Sequence, residues 1–185
     1  MFRDWSIAET KFTIPYDGVY EVVLVGGGGG GCELTTIAGT LQGGGGACFQ
    51  GLVKLNQSTE YAIAIGAGGK YGISDGQNGG DTYLNLNGNR LITAGGGARG
   101  GSTAVVSSGR GKGGTISVNR DLVEVLTAKI EQNGNDSPSR NTAGEGLYTE
   151  YNEYGELKYC GNGGVGYEYG ETGFALITYI YIEEQ

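Results

Sequence analysis

The chain has 185 residues, a net charge of −8 and no histidine, and forty of its residues are glycine. The negative charge argues against nucleic-acid binding, because binding to a duplex needs clustered lysine and arginine. No apolar run reaches the ~18 residues of a membrane-spanning helix, so we expect neither nucleic-acid binding nor membrane insertion.

The strongest predicted element is a β-strand at residues 19–25, which runs directly into six consecutive glycines. A shorter strand is predicted at residues 11–14 and ends at Pro15, since proline cannot donate to a strand ladder. Asp17 and Gly18 form a turn signal between the two strands. The chain therefore begins with two strands followed by a block without side chains.

The following segments repeat this plan. We predict strands at residues 47–55 and 60–65, and a hairpin of residues 83–86 and 89–94. The Asn87-Gly88 pair between the hairpin strands is typical of a type I′ turn. Strands 60–65 and 89–94 each lead into another glycine-rich block, so glycine blocks recur at strand ends.

The next third of the chain has weaker patterns. Strands are predicted at residues 102–107 and 115–118. The apolar residues of 121–132 have helical spacing and make this segment the one helix candidate, although a strand through residues 122–126 fits nearly as well.

Two further segments, residues 133–146 and 174–182, have contrasting compositions. Residues 133–146 are polar and are predicted to be a mobile loop. Residues 174–182 are rich in β-branched and aromatic residues on both faces, which is typical of a central, buried strand.

The glycine blocks have one structural explanation if they lie together at one end of a β-sandwich. Glycine runs adopt the threefold polyproline II conformation, and segments without side chains can pack side by side and hydrogen-bond laterally. Flexible glycine loops remain the alternative. We therefore predict an all-β, jelly-roll-like sandwich whose structural polyglycine residues form a bundle: Gly26, Gly27, Gly28, Gly29, Gly30, Gly31, Gly43, Gly44, Gly45, Gly46, Gly95, Gly96 and Gly97.

Four motifs carry a resemblance to a known family. They are FTIPYDGVYEVVLVGGG at residues 12–28, YAIAIGAGG at 61–69, GGDTYL at 79–84 and GFALITYI at 173–180. In this order they resemble the glycine-rich domain of bacteriophage tail-fibre and other virion proteins. The likeness covers residues 11–102 and 161–182. Residues 103–160 depart from it, being longer, more charged and richer in tyrosine.

The resemblance implies a β-sandwich with a polyglycine bundle, a place in the virion and a role near host-receptor binding. We expect one domain spanning residues 1–185, with the divergent insertion at about 103–160. The N-terminus lacks the apolar core of a signal peptide, so synthesis in the host cytoplasm is expected.

Catalysis and cofactor binding find little support in the sequence. The chain has no histidine, which is the commonest general base. A glycosidase-like pair among Glu145, Glu150, Glu153 and Glu156 is conceivable, but such a run is more typical of a solvated face. The spacing of Cys32, Cys48 and Cys160 matches no zinc pattern. We expect a non-enzymatic protein without metal or cofactor. A Cys32–Cys48 disulfide stays open beside free thiols, which the cytoplasmic origin favours.

A run of tyrosines supplies the candidate contact residues. Exposed aromatic and amide side chains bind sugars and protein surfaces at low entropic cost, whereas the other interpretation is that these rings pack over the glycine bundle. The candidates for receptor or partner contact are Tyr148, Tyr151, Tyr154, Tyr159 and Tyr167.

The resemblance, taken with the lack of catalytic motifs, implies a non-enzymatic structural protein of a phage fibre, tail tip or capsid surface. The expected partners are other virion or fibre subunits, further copies of the chain, with a trimer favoured, and a host-surface glycan or protein. The alternative is a small-ligand or ice-binding polyglycine module.

Overall fold

The computed structural model describes residues 8–33, 40–73, 75–101, 110–138, 143–146, 148–151, 157–165 and 167–180. Every regular element in these ranges is a β-strand. The strands are β1 Thr10–Thr13, β2 Gly18–Val25, β3 Cys32–Glu33, β4 Thr40–Leu41, β5 Cys48–Leu55, β6 Glu60–Ala64, β7 Gly72–Ile73, β8 Thr82–Leu86, β9 Asn89–Ala94, β10 Ile116–Val118, β11 Val125–Gln132, β12 Tyr148–Tyr151, β13 Leu157–Cys160 and β14 Phe174–Ile180.

Two antiparallel sheets form the body of the molecule. The first has five strands in the order β1-β6-β8-β9-β10, and the second has four in the order β11-β5-β2-β14. Strands β12 and β13 pair in a separate hairpin, and β3 joins β4 to β7 in a small sheet.

The two large sheets enclose one apolar core. Leu24 of β2 and Phe49 of β5 come from the four-stranded sheet, and Leu84 of β8 and Ile92 of β9 come from the five-stranded sheet; all four side chains are fully buried. Facing sheets with interdigitating inner side chains define a β-sandwich. The predicted all-β sandwich is therefore confirmed.

The predicted hairpin turn is also confirmed. Asn87 and Gly88 have φ angles of 51° and 78°, and positive φ at both central residues is the type I′ conformation. Leu86 and Asn89 pair directly across this turn.

The predicted helix at residues 121–132 is wrong. Residues 125–132 form β11, which pairs antiparallel with the edge of β5. The pairing contains two register irregularities, between Val125 and Thr127 and between Ala128 and Ile130. Each adds a residue to the strand, so the apolar residues lose the period of two and acquire an apparent helical spacing.

The C-terminal strand is not central, as its composition suggested, but lies at the edge of the four-stranded sheet. Apolar residues occur on both of its faces because both faces have apolar neighbours. Ala175 and Ile177 pack on the sandwich core, while Phe174 packs on an outer cluster that contains Val23 and Cys48.

Residues 133–138 and 143–146, the described part of the predicted loop, form no strand or helix, but their backbone is hydrogen-bonded to the bundle. The backbone N–H of Gly134 donates to the Gly114 carbonyl, and the carbonyl of Asn135 accepts from Gly45, both at 2.9 Å. These bonds tie the segment to glycine-rich neighbours. The strand predicted at residues 102–107 lies outside the described residues.

The three cysteines are buried, and none is in a disulfide. Cys32 packs with Leu41, whereas Cys48 lies in the outer cluster with Cys160. Cys32 and Cys48 therefore occupy different clusters. Burial raises the pKa of the Cys48 thiol to about 12, with a further contribution from Cys160.

This burial predicts a loss of stability at alkaline pH. Above pH ~9 the unfolded Cys48 thiol ionises while the folded thiol stays protonated, so the unfolded state is favoured as pH rises. Between pH 9 and 10.5 the wild type should lose about 1–2 kcal/mol relative to Cys48→Ala. Urea unfolding of both proteins at each pH measures the difference, and parallel pH curves would contradict the prediction.

Candidate functional site

The hexaglycine block at residues 26–31 lies at the centre of a hydrogen-bonded bundle. Its successive N–H groups donate to three neighbouring segments in rotation, so that every third residue meets the same neighbour. This threefold rotation is the symmetry of polyproline II backbone. The donor–acceptor pairs are Gly26–Ala47, Gly27–Gly80, Gly28–Glu171, Gly29–Gly44, Gly30–Gln77 and Gly31–Glu168, at 2.8 to 3.3 Å.

The carbonyl groups of the same block accept from three further segments. Residues 95–101, 66–72 and 161–165 supply these donors. The block thus has six neighbours, three antiparallel and three parallel to it. Its donor–acceptor pairs on this side are Gly97–Gly27, Gly69–Gly28, Gly164–Gly29, Gly100–Gly30 and Gly72–Gly31.

A second central segment adjoins the first. Residues 43–47 donate to residues 95–98, 161–164 and to Asn135, and the carbonyls of residues 42–47 accept from three other segments. All N–H groups and most C=O groups of residues 26–31 and 43–47 bond to neighbouring segments, so the bundle is a two-dimensional lattice of backbone hydrogen bonds.

The lattice leaves no room for side chains at its centre. A Cβ atom on Gly28 would overlap the carbonyl oxygen of Asn162, and one on Gly29 would overlap that of Ala98. A Cβ meets backbone carbonyl atoms in the same way at Gly26, Gly27, Gly30, Gly43, Gly44, Gly45, Gly46, Gly95, Gly96 and Gly97. The glycines are therefore a steric requirement of close backbone approach.

The candidate tyrosines divide into two groups. Tyr148 and Tyr151 lie on β12 and Tyr159 lies on the paired strand β13, so this hairpin brings three of them together. Tyr154 lies outside the described residues. Tyr167 lies instead in the turn between two bundle segments.

Tyr167 combines a packing contact with high exposure. Its ring packs against Tyr71 with centroids 5.5 Å apart, and its hydroxyl donates to Glu33 Oε1 at 3.3 Å. The side chain is nonetheless 63% exposed. Tyr167 therefore packs against its neighbours, as one interpretation of the tyrosines expected, and keeps enough exposed surface for a partner contact, as the other expected.

The carboxylate of Glu33 accepts a hydrogen bond from each of the two tyrosine hydroxyls. Its other oxygen, Oε2, accepts from the Tyr71 hydroxyl at 3.4 Å. The negative charge of Glu33 raises the pKa of Tyr167, while burial, followed by Glu33, raises the pKa of Tyr71. Both phenols therefore remain protonated hydrogen-bond donors well above neutral pH.

An acidic cleft runs along the adjoining flank of the bundle. It has a volume of about 320 Å³, and its polar lining includes Asn162 and the exposed ring of Tyr169. Three carboxylates, Glu145, Glu168 and Glu171, complete the polar lining, and the described lining residues include no lysine or arginine.

A second cleft of about 340 Å³ continues from the first, because Ala143 and Glu145 line both. It adds Asp136, whose Oδ1 accepts from the backbone of Gly113 at 2.8 Å. Carboxylates and amides beside an exposed aromatic ring can bind ligands that carry hydroxyl or cationic groups.

Sequence reasoning did not identify Tyr71, Glu33 or the cleft carboxylates as one region. They come from segments far apart in the chain, which the bundle places side by side. The only available signal was that each lies beside a glycine block. In the described part of the chain no helix is long and apolar enough to cross a membrane, and no group of three potential metal ligands is arranged around a common point.

Comparison with known proteins places the chain in a protein family. A family model described as "Glycine-rich domain" matches residues 6–176. No curated protein sequence matches the chain. The matched range includes both central segments, the tyrosines and both clefts.

The lattice predicts a sharp difference between two glycine-to-alanine substitutions. Gly28→Ala forces a methyl group into the Asn162 carbonyl and should lower the free energy of unfolding by about 3 kcal/mol or more. At Gly101 the nearest described atom to an added Cβ is 3.4 Å away, in the Asp75 side chain. Gly101→Ala should therefore stay within about 1 kcal/mol of the wild type.

Urea unfolding followed by circular dichroism measures both variants. Gly101→Ala is the matched control, because it makes the same chemical change in the same bundle. Equal stability of the two variants would show that the hexaglycine block does not need close backbone contact.

Proposed function

The chain belongs to the glycine-rich domain family, and we propose that it is a non-enzymatic structural protein of a bacteriophage particle, placed in a fibre, the tail tip or the capsid surface. The observation that carries this proposal is the hydrogen-bonded lattice around residues 26–31. The lattice supplies rigidity and no reactive group. Rigidity is the property that a component of an extracellular particle requires.

The motif order described above supports the phage context. The chain resembles virion glycine-rich domains in two ranges, residues 11–102 and 161–182. On this proposal the protein is made in the host cytoplasm and assembles with other virion or fibre subunits. Its net charge of −8 disfavours an alternative role on the packaged nucleic acid.

We propose further that the flank holding Tyr167, Tyr169 and the acidic cleft contacts the host surface. Tyr167 and Tyr169 are each 63% exposed as residues, and the hydroxyl of Tyr167 is hydrogen-bonded to Glu33. Exposed rings give a sugar or protein surface a large contact area, while Asn162 and the carboxylates can hydrogen-bond hydroxyl groups. The ligand class that fits is a surface glycan or a polar protein surface.

The second candidate function is small-ligand binding. The two adjoining clefts, of about 320 and 340 Å³, are the observation that favours it. In that case the protein binds a free hydroxyl-rich or cationic molecule and has no role in a particle.

Composition of purified particles tests the structural role. The phage that encodes this chain, purified by density gradient and digested with trypsin, should contain its peptides at a fixed number of copies per particle. The control is a non-structural protein of the same phage, which should be depleted through purification. Absence of the chain from infectious particles would refute the virion assignment and favour the small-ligand alternative.

Binding to surface glycans tests the contact role separately. On an array of bacterial surface glycans, Tyr167→Ala combined with Tyr169→Ala should weaken binding about tenfold or more, as loss of central aromatic contacts does. Tyr16→Ala is the matched control. Tyr16 is also exposed, at 61%, but it precedes the start of β2, and the bundle begins at the opposite end of that strand. Equal binding by both variants and the wild type would exclude this flank as the contact surface.

A further inference from the structure

Two of the three cysteines lie together in the outer cluster of the four-stranded sheet. Cys48 on β5 is fully buried, and Cys160, the last residue of β13, is 3% exposed. Both pack in one cluster with Val23 and Val25, whereas Cys32 packs with a leucine in another cluster. The fold therefore brings two thiol-bearing residues together from distant parts of the chain.

The backbone beside these two residues fixes their proximity. The N–H of Gly46, two residues before Cys48, donates to the carbonyl of Gly161 at 2.7 Å, and Gly161 directly follows Cys160. A Cβ atom on Gly161 would lie 3.0 Å from Cγ1 of Val25, which is the cross-strand partner of Cys48. The raised pKa of Cys48, to which Cys160 contributes, agrees with this placement.

The position of Cys160 in the topology gives the pair a structural consequence. Strands β12 and β13 pair with each other and with no other described strand. Strand β5 lies inside the four-stranded sheet, between β11 and β2. A covalent bond between the two cysteines would thus attach the hairpin directly to the sandwich.

We propose that Cys48 and Cys160 form an intramolecular disulfide when the folded protein meets a low-molecular-weight disulfide such as oxidised glutathione. Disulfides persist in oxidising surroundings outside the cytoplasm, while the glutathione and thioredoxin systems of the cytoplasm keep thiols reduced. The pair is therefore a redox-sensitive site that closes after the protein leaves a reducing compartment. The inference follows from the packing of the two residues and does not depend on the proposed virion role.

The reaction is two successive thiol–disulfide exchanges. The thiolate of Cys160, the less buried residue, attacks one sulfur of oxidised glutathione, which forms a mixed disulfide and releases one glutathione thiolate. The thiolate of Cys48 then attacks the Cys160 sulfur and releases the second glutathione. The protein gives up two protons and two electrons, and the electrons reduce the glutathione disulfide. Because both residues are buried, the reaction needs local opening of the structure and should be slower than with exposed thiols.

Peptide mapping of the wild type tests the pairing. The folded protein is incubated with oxidised glutathione, then unfolded, alkylated and digested with an endoproteinase that cleaves after glutamate. Each cysteine then lies in a peptide of its own, in residues 22–33, 34–60 and 157–168. The second and third peptides should be joined, with a mass lower by two hydrogens that reduction restores, and the first should be alkylated. Three alkylated cysteines, a lasting glutathione adduct in place of the internal bond, or a bond to Cys32 or to a second chain would refute the proposal.

Serine variants add a control and a stability readout. Cys32→Ser removes a buried thiol from the other cluster, so it is the matched control and should still form the bond. Cys48→Ser should not form it. In urea, oxidation should raise the unfolding midpoint of the wild type and of Cys32→Ser, because a cross-link between distant residues restricts the unfolded chain, and should leave Cys48→Ser unchanged. An unchanged or lower midpoint of the oxidised wild type would mean that the bond strains the fold, which contradicts the packing from which it is inferred. The wild-type map stands by itself if a variant misfolds.

Discussion

Close packing of backbone segments that have no side chains is the constraint on which this structure depends. Two all-glycine segments, residues 26–31 and 43–46, are each surrounded by others at a distance at which N–H and C=O groups bond directly. A Cβ atom at any of residues 26–30 or 43–46 would meet a backbone carbonyl oxygen. The high glycine content therefore reflects one geometric requirement, which many parts of the chain satisfy together.

The chain passes directly between the strands of the sandwich and the segments of the bundle. Strands β2, β6, β9 and β11 run into bundle segments, and strands β5, β8, β10 and β14 begin where other segments end. A single hydrogen bond contributes only about 1 kcal/mol net, so an isolated glycine run would not stay ordered. The paired β-strands fix where each glycine segment of the bundle starts. Because the segments are aligned in this way, their lateral hydrogen bonds can form together.

Local patterns in the sequence were sufficient for much of this fold. Strand patterns bounded by turn residues or by glycine blocks predicted β2, β5 and the β8–β9 hairpin, because the signal lies within each segment. They failed for β11, where irregular pairing with β5 hid the strand period. They also failed for the position of β14, because apolar residues on both faces do not distinguish a central strand from an edge strand with an outer cluster. The grouping of Tyr167 with Tyr71 and Glu33 was inaccessible, since it arises only when distant segments become neighbours in the lattice.

The rotation of hydrogen bonds with a period of three has a consequence for how such a domain can change in evolution. Removing one residue from the block at 26–31 would turn every following N–H group toward the wrong neighbouring segment. Removing three would shorten the block and leave each remaining N–H group facing the same segment as before. Length changes in the interior are thus compatible with the lattice only in triplets. The turns outside the bundle make no lattice bonds of this kind, so their length and composition can change while the segments inside the bundle keep their period of three residues.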